Sequence, residues 1–224
     1  MTKLLSDKQR LRIQTRHKDS VEKFGYQPQA LYWSNREIQQ IRFRKLSEIL
    51  PLNHKLEGGN IAVWSVLDVG CGFGDLKGFL QEQGFIIDYH GIDLSETMVE
   101  SAQFQRPDIQ VSLGDLFDFD PADNAYDYVF LSGALNEVVE TEIEGTAQYR
   151  GRYAKAVIRK MYDTCRRGVA FNLLDARHPW IQSRPDLQSF MPEEIVEYCE
   201  TFAVKVRWAD DYLENDFTVY LEKQ

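Results

Sequence analysis

The chain has 224 residues, 43% of them hydrophobic, and a formal net charge of −9. The length suits one domain with a sizeable core. No run reaches the ~18 apolar residues of a membrane span, and the opening MTKLLSDKQRLR lacks the apolar centre of a secretory signal. Three scattered cysteines, Cys71, Cys165 and Cys199, give neither a disulfide framework nor metal-ligand spacing. A cytoplasmic protein without a membrane partner is expected, as a monomer or homodimer, and the acidic balance disfavours non-specific nucleic-acid binding.

The charge is uneven. Residues 1–50 hold 11 Lys and Arg against 5 Asp and Glu, while the remainder holds 15 against 30. Residues 1–25 show weak apolar periodicity, so they read as a surface helix or an arm, and their basic character fits a solvated face or an RNA contact. Asn35 is placed to cap a helix over about 36–50, ended by Pro51. His54 to Asn60 reads as a loop. From residue 61 strands and helices alternate. Strands are expected over 63–69, 85–92, 109–113, 126–131, 168–174, 204–208 and 217–221. Helices are expected over 75–83, 95–104 (Ser95 as N-cap), 149–164 and from Pro192. This is an α/β pattern: a doubly wound, Rossmann-like, seven-stranded mixed sheet with its last strand antiparallel and an N-terminal helical cap. Residues 1–60 form the cap or arm, and 61–224 the sheet domain. Ligands of such sheets bind at the carboxyl ends of the strands.

The first strand runs into VLDVGCGFGDL, in which Asp68 precedes Gly70, Gly72 and Gly74. Glycines there permit positive φ and close approach of a ligand to the backbone. A dinucleotide turn needs G-x-G-x-x-G. Here the third glycine comes one residue early, and Asp75 would face a pyrophosphate. Asp93 ends the second strand, where a carboxylate can accept both hydroxyls of a ribose.

The pattern Asp-x-Gly-x-Gly-x-Gly resembles the first motif of class I S-adenosylmethionine-dependent methyltransferases. WSNREIQQIRF, YDYVFLSGALN, GVAFNLL and NDFTVYL extend the likeness to a little-characterised bacterial group of that superfamily. The resemblance implies S-adenosyl-L-methionine as cofactor, with the turn residues Asp68, Gly70, Cys71, Gly72 and Gly74 beneath it. It implies ribose on Asp93 and adenine packed by Leu94 and Met98. The adenine amino group would be read by Asp115, with the Leu116 N–H on a ring nitrogen. Ser132 and Gly133 supply a small loop beside the cofactor. Trp33 and Arg42 lie on the preceding segment, with Arg42 as candidate for the methionine carboxylate.

The acceptor is less legible. SGALN replaces the Asn/Asp-Pro-Pro-Tyr/Phe of amino-methylating enzymes. Asn136 is a candidate for orienting the acceptor or for capping the loop. His178, in DARHPW, reads as a general base or as a surface histidine, and His17, His54 and His90 have no site context. The acidic run at Glu137, Glu140, Glu142 and Glu144 reads as a solvated loop, or as a rim favouring amine-bearing or neutral acceptors. The expected function is methyl transfer to a small molecule. RNA or protein methylation, and a nucleotide-binding module without turnover, are the alternatives.

Overall fold

A computed structural model describes residues 4–51 and 62–223. The loop expected at 54–60, His54 and the boundary at residue 60 lie outside the described residues. Two helices, α1 (Asp7–Phe24) and α2 (Arg36–Ser47), precede the sheet. Alternation then follows: β1 (Val63–Val69), α3 (Asp75–Glu82), β2 (Ile86–Asp93), α4 (Glu96–Gln105), β3 (Gln110–Leu113), the one-turn α5 (Leu116–Phe119) and β4 (Tyr126–Ser132). The second half adds α6 (Arg152–Thr164), β5 (Cys165–Asp175), α7 (Pro179–Gln182), β6 (Ser189–Phe190), α8 (Pro192–Glu200), β7 (Lys205–Ala209) and β8 (Asp216–Glu222).

Seven strands run in the order β3-β2-β1-β4-β5-β8-β7, and the two-residue β6 pairs with the end of β5. Only β8 opposes its neighbours, being antiparallel to both β5 and β7. The expected mixed sheet is therefore present, with β6 as an addition too short to carry a period. Successive side chains of β1 alternate between two cores: Leu67 and Val69 face α6 and α8, while Trp64 and Val66 face α2, α3 and α4. Chain order reverses between β1 and β4, and this opens a crevice above their carboxyl ends.

Local chemistry sets the element ends. The Asn35 side chain accepts the Ile38 N–H at the start of α2. Ser95 precedes α4 as expected, but its hydroxyl makes no cap bond; the Asp93 carboxylate takes the Ser95 N–H instead. The helix expected from 149 begins at Arg152. Gly151 sits before it at φ +81, and a Cβ there would press on the Phe190 ring. Glu140 is buried and accepts the Gly151 and Tyr153 N–H groups at that helix start, so this member of the acidic run is structural.

The basic lead segment is an ordered helix. Ser6 and Gln9 form a reciprocal capping box at its start. α1 then lies across the carboxyl ends of the strands. Gln14 donates to the Leu94 carbonyl beyond β2, and Arg10 pairs with Asp115 beyond β3. Gln9 and Arg12 donate to the Val139 carbonyl beyond β4, and Arg16 pairs with Glu137 at 3.2 Å. Three of its arginines, Arg10, Arg12 and Arg16, are turned to acidic residues beyond the strands.

Candidate active site

The crevice is a cavity of about 400 Å³, walled by the β1 turn, the ends of β2, β3 and β4, and α1 and α2. Gly70 leaves β1 at φ +70, and a Cβ on it would stand 2.3 Å from the Ala134 Cβ. The turn thus packs on the Ala134 methyl, where no second side chain fits. The Gly70 and Cys71 N–H groups both donate to the Ile92 carbonyl, and the Gly72 N–H donates to Asp93 Oδ2 at 3.0 Å. Asp93 Oδ1 takes the Ser95 N–H at 2.9 Å. Asp93 therefore clamps the turn to β2, and each oxygen keeps one lone pair for a further donor.

Asp68 lies beneath the turn, 3% exposed, and accepts the Tyr89 hydroxyl at 2.6 Å. Burial pushes its carboxyl up to about 7; the Tyr89 bond opposes this, and Asp93 and Asp75 add to it. Asp115 caps α5, its Oδ1 accepting the Phe117 and Asp118 N–H groups at 2.9 Å each, while Oδ2 takes Arg10 at 2.7 Å. Burial again raises its carboxyl, against the α5 amides and Arg10. Leu94, Met98 and Leu116 supply the apolar wall between Asp93 and Asp115.

Beyond β4, the Gly133 N–H donates to Asn172 Oδ1 on the neighbouring β5, which holds the small Ser132-Gly133 loop in place. A Cβ at Gly133 would stand 3.0 Å from the Trp33 ring and 3.6 Å from Asn136 Nδ2. Trp33, Gly133 and Asn136 therefore meet at one point of the cavity. Asn136 Oδ1 is buried there without a partner.

Of the residues singled out in the sequence, Trp33, Arg42, Asp68, Gly70, Cys71, Gly72, Asp93, Leu94, Met98, Asp115, Leu116, Ser132, Gly133 and Asn136 all line this one cavity. Two do not. Gly74 is the N-cap of α3, and a Cβ on it would meet Ile109, so it serves packing toward β3. His178 is the N-cap of α7, with Nε2 3.9 Å from the exposed Glu214. β5 runs on to Asp175, whose carboxylate takes the Arg177 N–H in a tight turn; Trp180, Arg184 and Leu187 beyond it line the cavity, but His178 does not.

Arg42 is corrected in its partner. It lines the cavity, but its guanidinium bonds the buried Asp216 of β8 and stacks on Trp33 at 4.3 Å. It stands in the wall as half of an ion pair rather than as an uncommitted cation. The acidic rim is corrected too: Glu137 pairs with Arg16, and Glu144 lies 3.9 Å from Arg12. Leu5, Ile13, Arg16 and His17 of the lead segment, together with Tyr153 of α6, line the cavity without having been foreseen. The Ser6-x-x-Gln9 box was the available signal for the helix that carries three of them.

Comparison with known proteins agrees with this geometry. Residues 66–167 match a family model described as a methyltransferase domain, a span that holds the glycine turn, Asp93 and Asp115. A Mycobacterium tuberculosis protein named as a methyltransferase is 28% identical over 162 residues, covering 71% of this chain and 93% of its own. An Archaeoglobus fulgidus structure named as a SAM-dependent methyltransferase superposes with TM-score 0.59 at 14% identity, over 84% of this chain and 95% of its own. Phosphoethanolamine N-methyltransferase 2 of Haemonchus contortus, solved with S-adenosyl-L-methionine, gives 0.58 at 14% identity, over 83% of this chain and 52% of its own. The [4+2]-cyclase SpnF gives 0.60 at 15% identity, over 84% of this chain and 81% of its own. At these identities the structural likeness is one of fold; within that fold, residues 66–167 carry a methyltransferase domain.

Proposed function

We propose that the chain transfers the methyl group of S-adenosylmethionine to a small, uncharged, largely apolar acceptor held beneath α1. The observation that carries this reading is the course of α1 itself. Its side chains bond the ends of β2, β3 and β4, so the cavity is reached past a helix rather than over an open face. An acceptor must fit under that helix, which favours a small molecule over RNA or a folded protein. The acceptor end is lined by Ile13, Val139, Leu187 and Trp180. Its charges are matched, Arg16 with Glu137 and Arg184 with Asp186 at 2.6 Å, so neither a polyanion nor a cation finds an unanswered partner.

The donor set suits the cofactor. The Gly70 to Gly72 turn leaves its backbone open to close approach. Asp93 has two lone pairs for the ribose hydroxyls, and Asp68 stands where a cationic end group would be met. Leu94, Met98 and Leu116 would flank the adenine, with Asp115 at its amino edge. Bound there, S-adenosylmethionine supplies a methyl group on a sulfonium that is its own leaving group. The protein's share is alignment and the exclusion of water. Trp33 and Gly133 shape the point of transfer, and Asn136 Oδ1, buried without a partner, offers an acceptor for an N–H or O–H of the incoming molecule.

Incubating the protein with methyl-labelled S-adenosylmethionine and the separated small-molecule, RNA and protein fractions of a cell extract tests this reading. Label is expected in the small-molecule fraction. Label confined to RNA or protein would overturn the small-acceptor assignment.

A further inference from the structure

The contact between α1 and the end of β3 has a chemical consequence for ligand selection. Asp115 is 6% exposed and lines the cavity. Oδ1 is occupied by the N–H groups of Phe117 and Asp118, and Oδ2 takes Arg10 Nη2 at 2.7 Å. A carboxylate offers about four lone-pair sites, so one remains, on Oδ2. Beside it lies the Leu116 N–H, the first amide of α5, which the Asp115 cap does not use. An acceptor next to a donor is the complement of adenine's edge, which shows a 6-amino donor next to the N1 acceptor. Hypoxanthine reverses both positions, with a 6-oxo acceptor next to an N1–H donor.

We propose that Arg10 is a specificity-determining, positioning residue: it keeps Asp115 an ionised, acceptor-only carboxylate that takes a 6-amino purine and refuses a 6-oxo purine. The inference rests on the cofactor reading above. It adds a role for a residue outside the sheet, 105 positions from the group it governs. Three groups face Asp115: Arg10 from α1, which also bonds Asp118; Asp118 from α5; and the Tyr153 phenol from α6. Arg10 is the one cation of the three. Without it, the buried Asp115 carboxyl would face the exposed Asp118 carboxylate with no cation between them, and a desolvated carboxyl beside a like charge holds its proton more tightly. Burial already raises the Asp115 carboxyl with Arg10 in place. A protonated Asp115 can donate to a 6-oxo group, and the discrimination would fall.

Calorimetric titration of the full chain with S-adenosylhomocysteine and with S-inosylhomocysteine, at about pH 6 and about pH 8, tests this directly. The unmodified protein should favour the adenosyl ligand by about ten-fold or more at both values, as expected for a charged hydrogen bond. Arg10→Ala should narrow that ratio several-fold at about pH 6 and narrow it less at about pH 8, since higher pH favours the ionised carboxyl. Arg10→Lys, which keeps the charge, should hold most of the ratio at both. Arg10→Gln keeps a donor without the charge and should behave as Arg10→Ala. Equal weakening of both ligands in Arg10→Ala and Arg10→Gln, with the ratio intact, would show that Arg10 merely docks the helix and would overturn the proposal. Equal binding of the two ligands by the unmodified protein would overturn it as well, leaving the cofactor reading intact. Binding of neither ligand would overturn both together.

Discussion

The glycine turn after β1 and helix α1 face each other across the same cavity, and they are built on opposite terms. The turn is held by backbone: Gly70 and Cys71 bond Ile92, Gly72 bonds Asp93, and a Cβ at Gly70 has no room beside Ala134. α1 is held by side chains. Its two buried residues are polar, Gln9 and Ser20, and its anchors Gln9, Arg10, Gln14 and Arg16 reach partners at Val139, Asp115, Leu94 and Glu137. A backbone demand constrains which residue types can stand at a position. A set of distant polar pairs leaves a helix that looks solvated from its own sequence. Function here draws on both, and only one announces itself.

Arg42 belongs to neither class: it is a motif residue with a distant partner. Arg42→Ala leaves Asp216 buried with an uncompensated charge, and such losses cost about 3–5 kcal/mol. Urea unfolding should show that loss in the absence of any ligand. If Arg42 instead served a ligand carboxylate alone, stability would hold and only affinity would fall.

Gly70→Ala tests the backbone side. It places a Cβ against the short, rotamer-free Ala134 at a positive φ, and the strain and overpacking together should cost about 3 kcal/mol. Thermal melts should show the loss. Gly74→Ala also meets a positive φ, but its neighbour is the end of the flexible Ile109 side chain, so it should cost less and spare ligand binding.

The pH dependence sharpens the picture of what lies beneath the turn. Burial holds the Asp68 carboxyl at about 7 in the fold, against about 3.9 in the unfolded chain. The folded state binds the proton more tightly, so this group subtracts nothing below about pH 4. It weakens the fold progressively as the pH rises toward 7, and levels off above. Asp68→Asn removes that dependence. Its melting temperature relative to the unmodified protein should therefore climb by several degrees between about pH 4 and about pH 8. A constant difference across that range would mean that Asp68 is not raised.

The smallest effect is expected on α1. Arg16→Ala breaks a half-exposed ion pair with Glu137, worth about 0.5 kcal/mol. Stability should barely move, because the Gln9, Gln14 and Arg10 contacts remain. A large loss of stability in that variant would mean that α1 depends on one pair rather than on a distributed set.

The same contrast explains what was legible in the sequence. Seven strands, their mixed sense and the carboxyl-end location of the site follow from period and from the Gly70 to Gly74 spacing, which are local signals. Asp93 and Asp115 follow because each stands at a strand end, where the sheet's geometry fixes its direction. His178 was open between a base and a surface histidine; it caps α7 beside Glu214 and does not line the cavity, although its neighbour Trp180 does. Arg42 lines the cavity, yet Asp216, 174 residues away, could not be matched to it before the sheet brought β8 beside α2. The acidic run after β4 and the basic run before β1 looked like two surface features. They are partners, joined at Arg16–Glu137 and Arg12–Glu144.

The most direct test of the central claim is calorimetric titration of the full chain, and of Asp93→Ala, with S-adenosylhomocysteine and with NAD. The unmodified protein should bind one S-adenosylhomocysteine and no NAD. Asp93→Ala should weaken that binding by about 1.5–3 kcal/mol, because it removes both the ribose acceptor and the clamp on the Gly72 N–H. Binding of NAD without S-adenosylhomocysteine, or an unchanged affinity in a folded Asp93→Ala variant, would contradict the account.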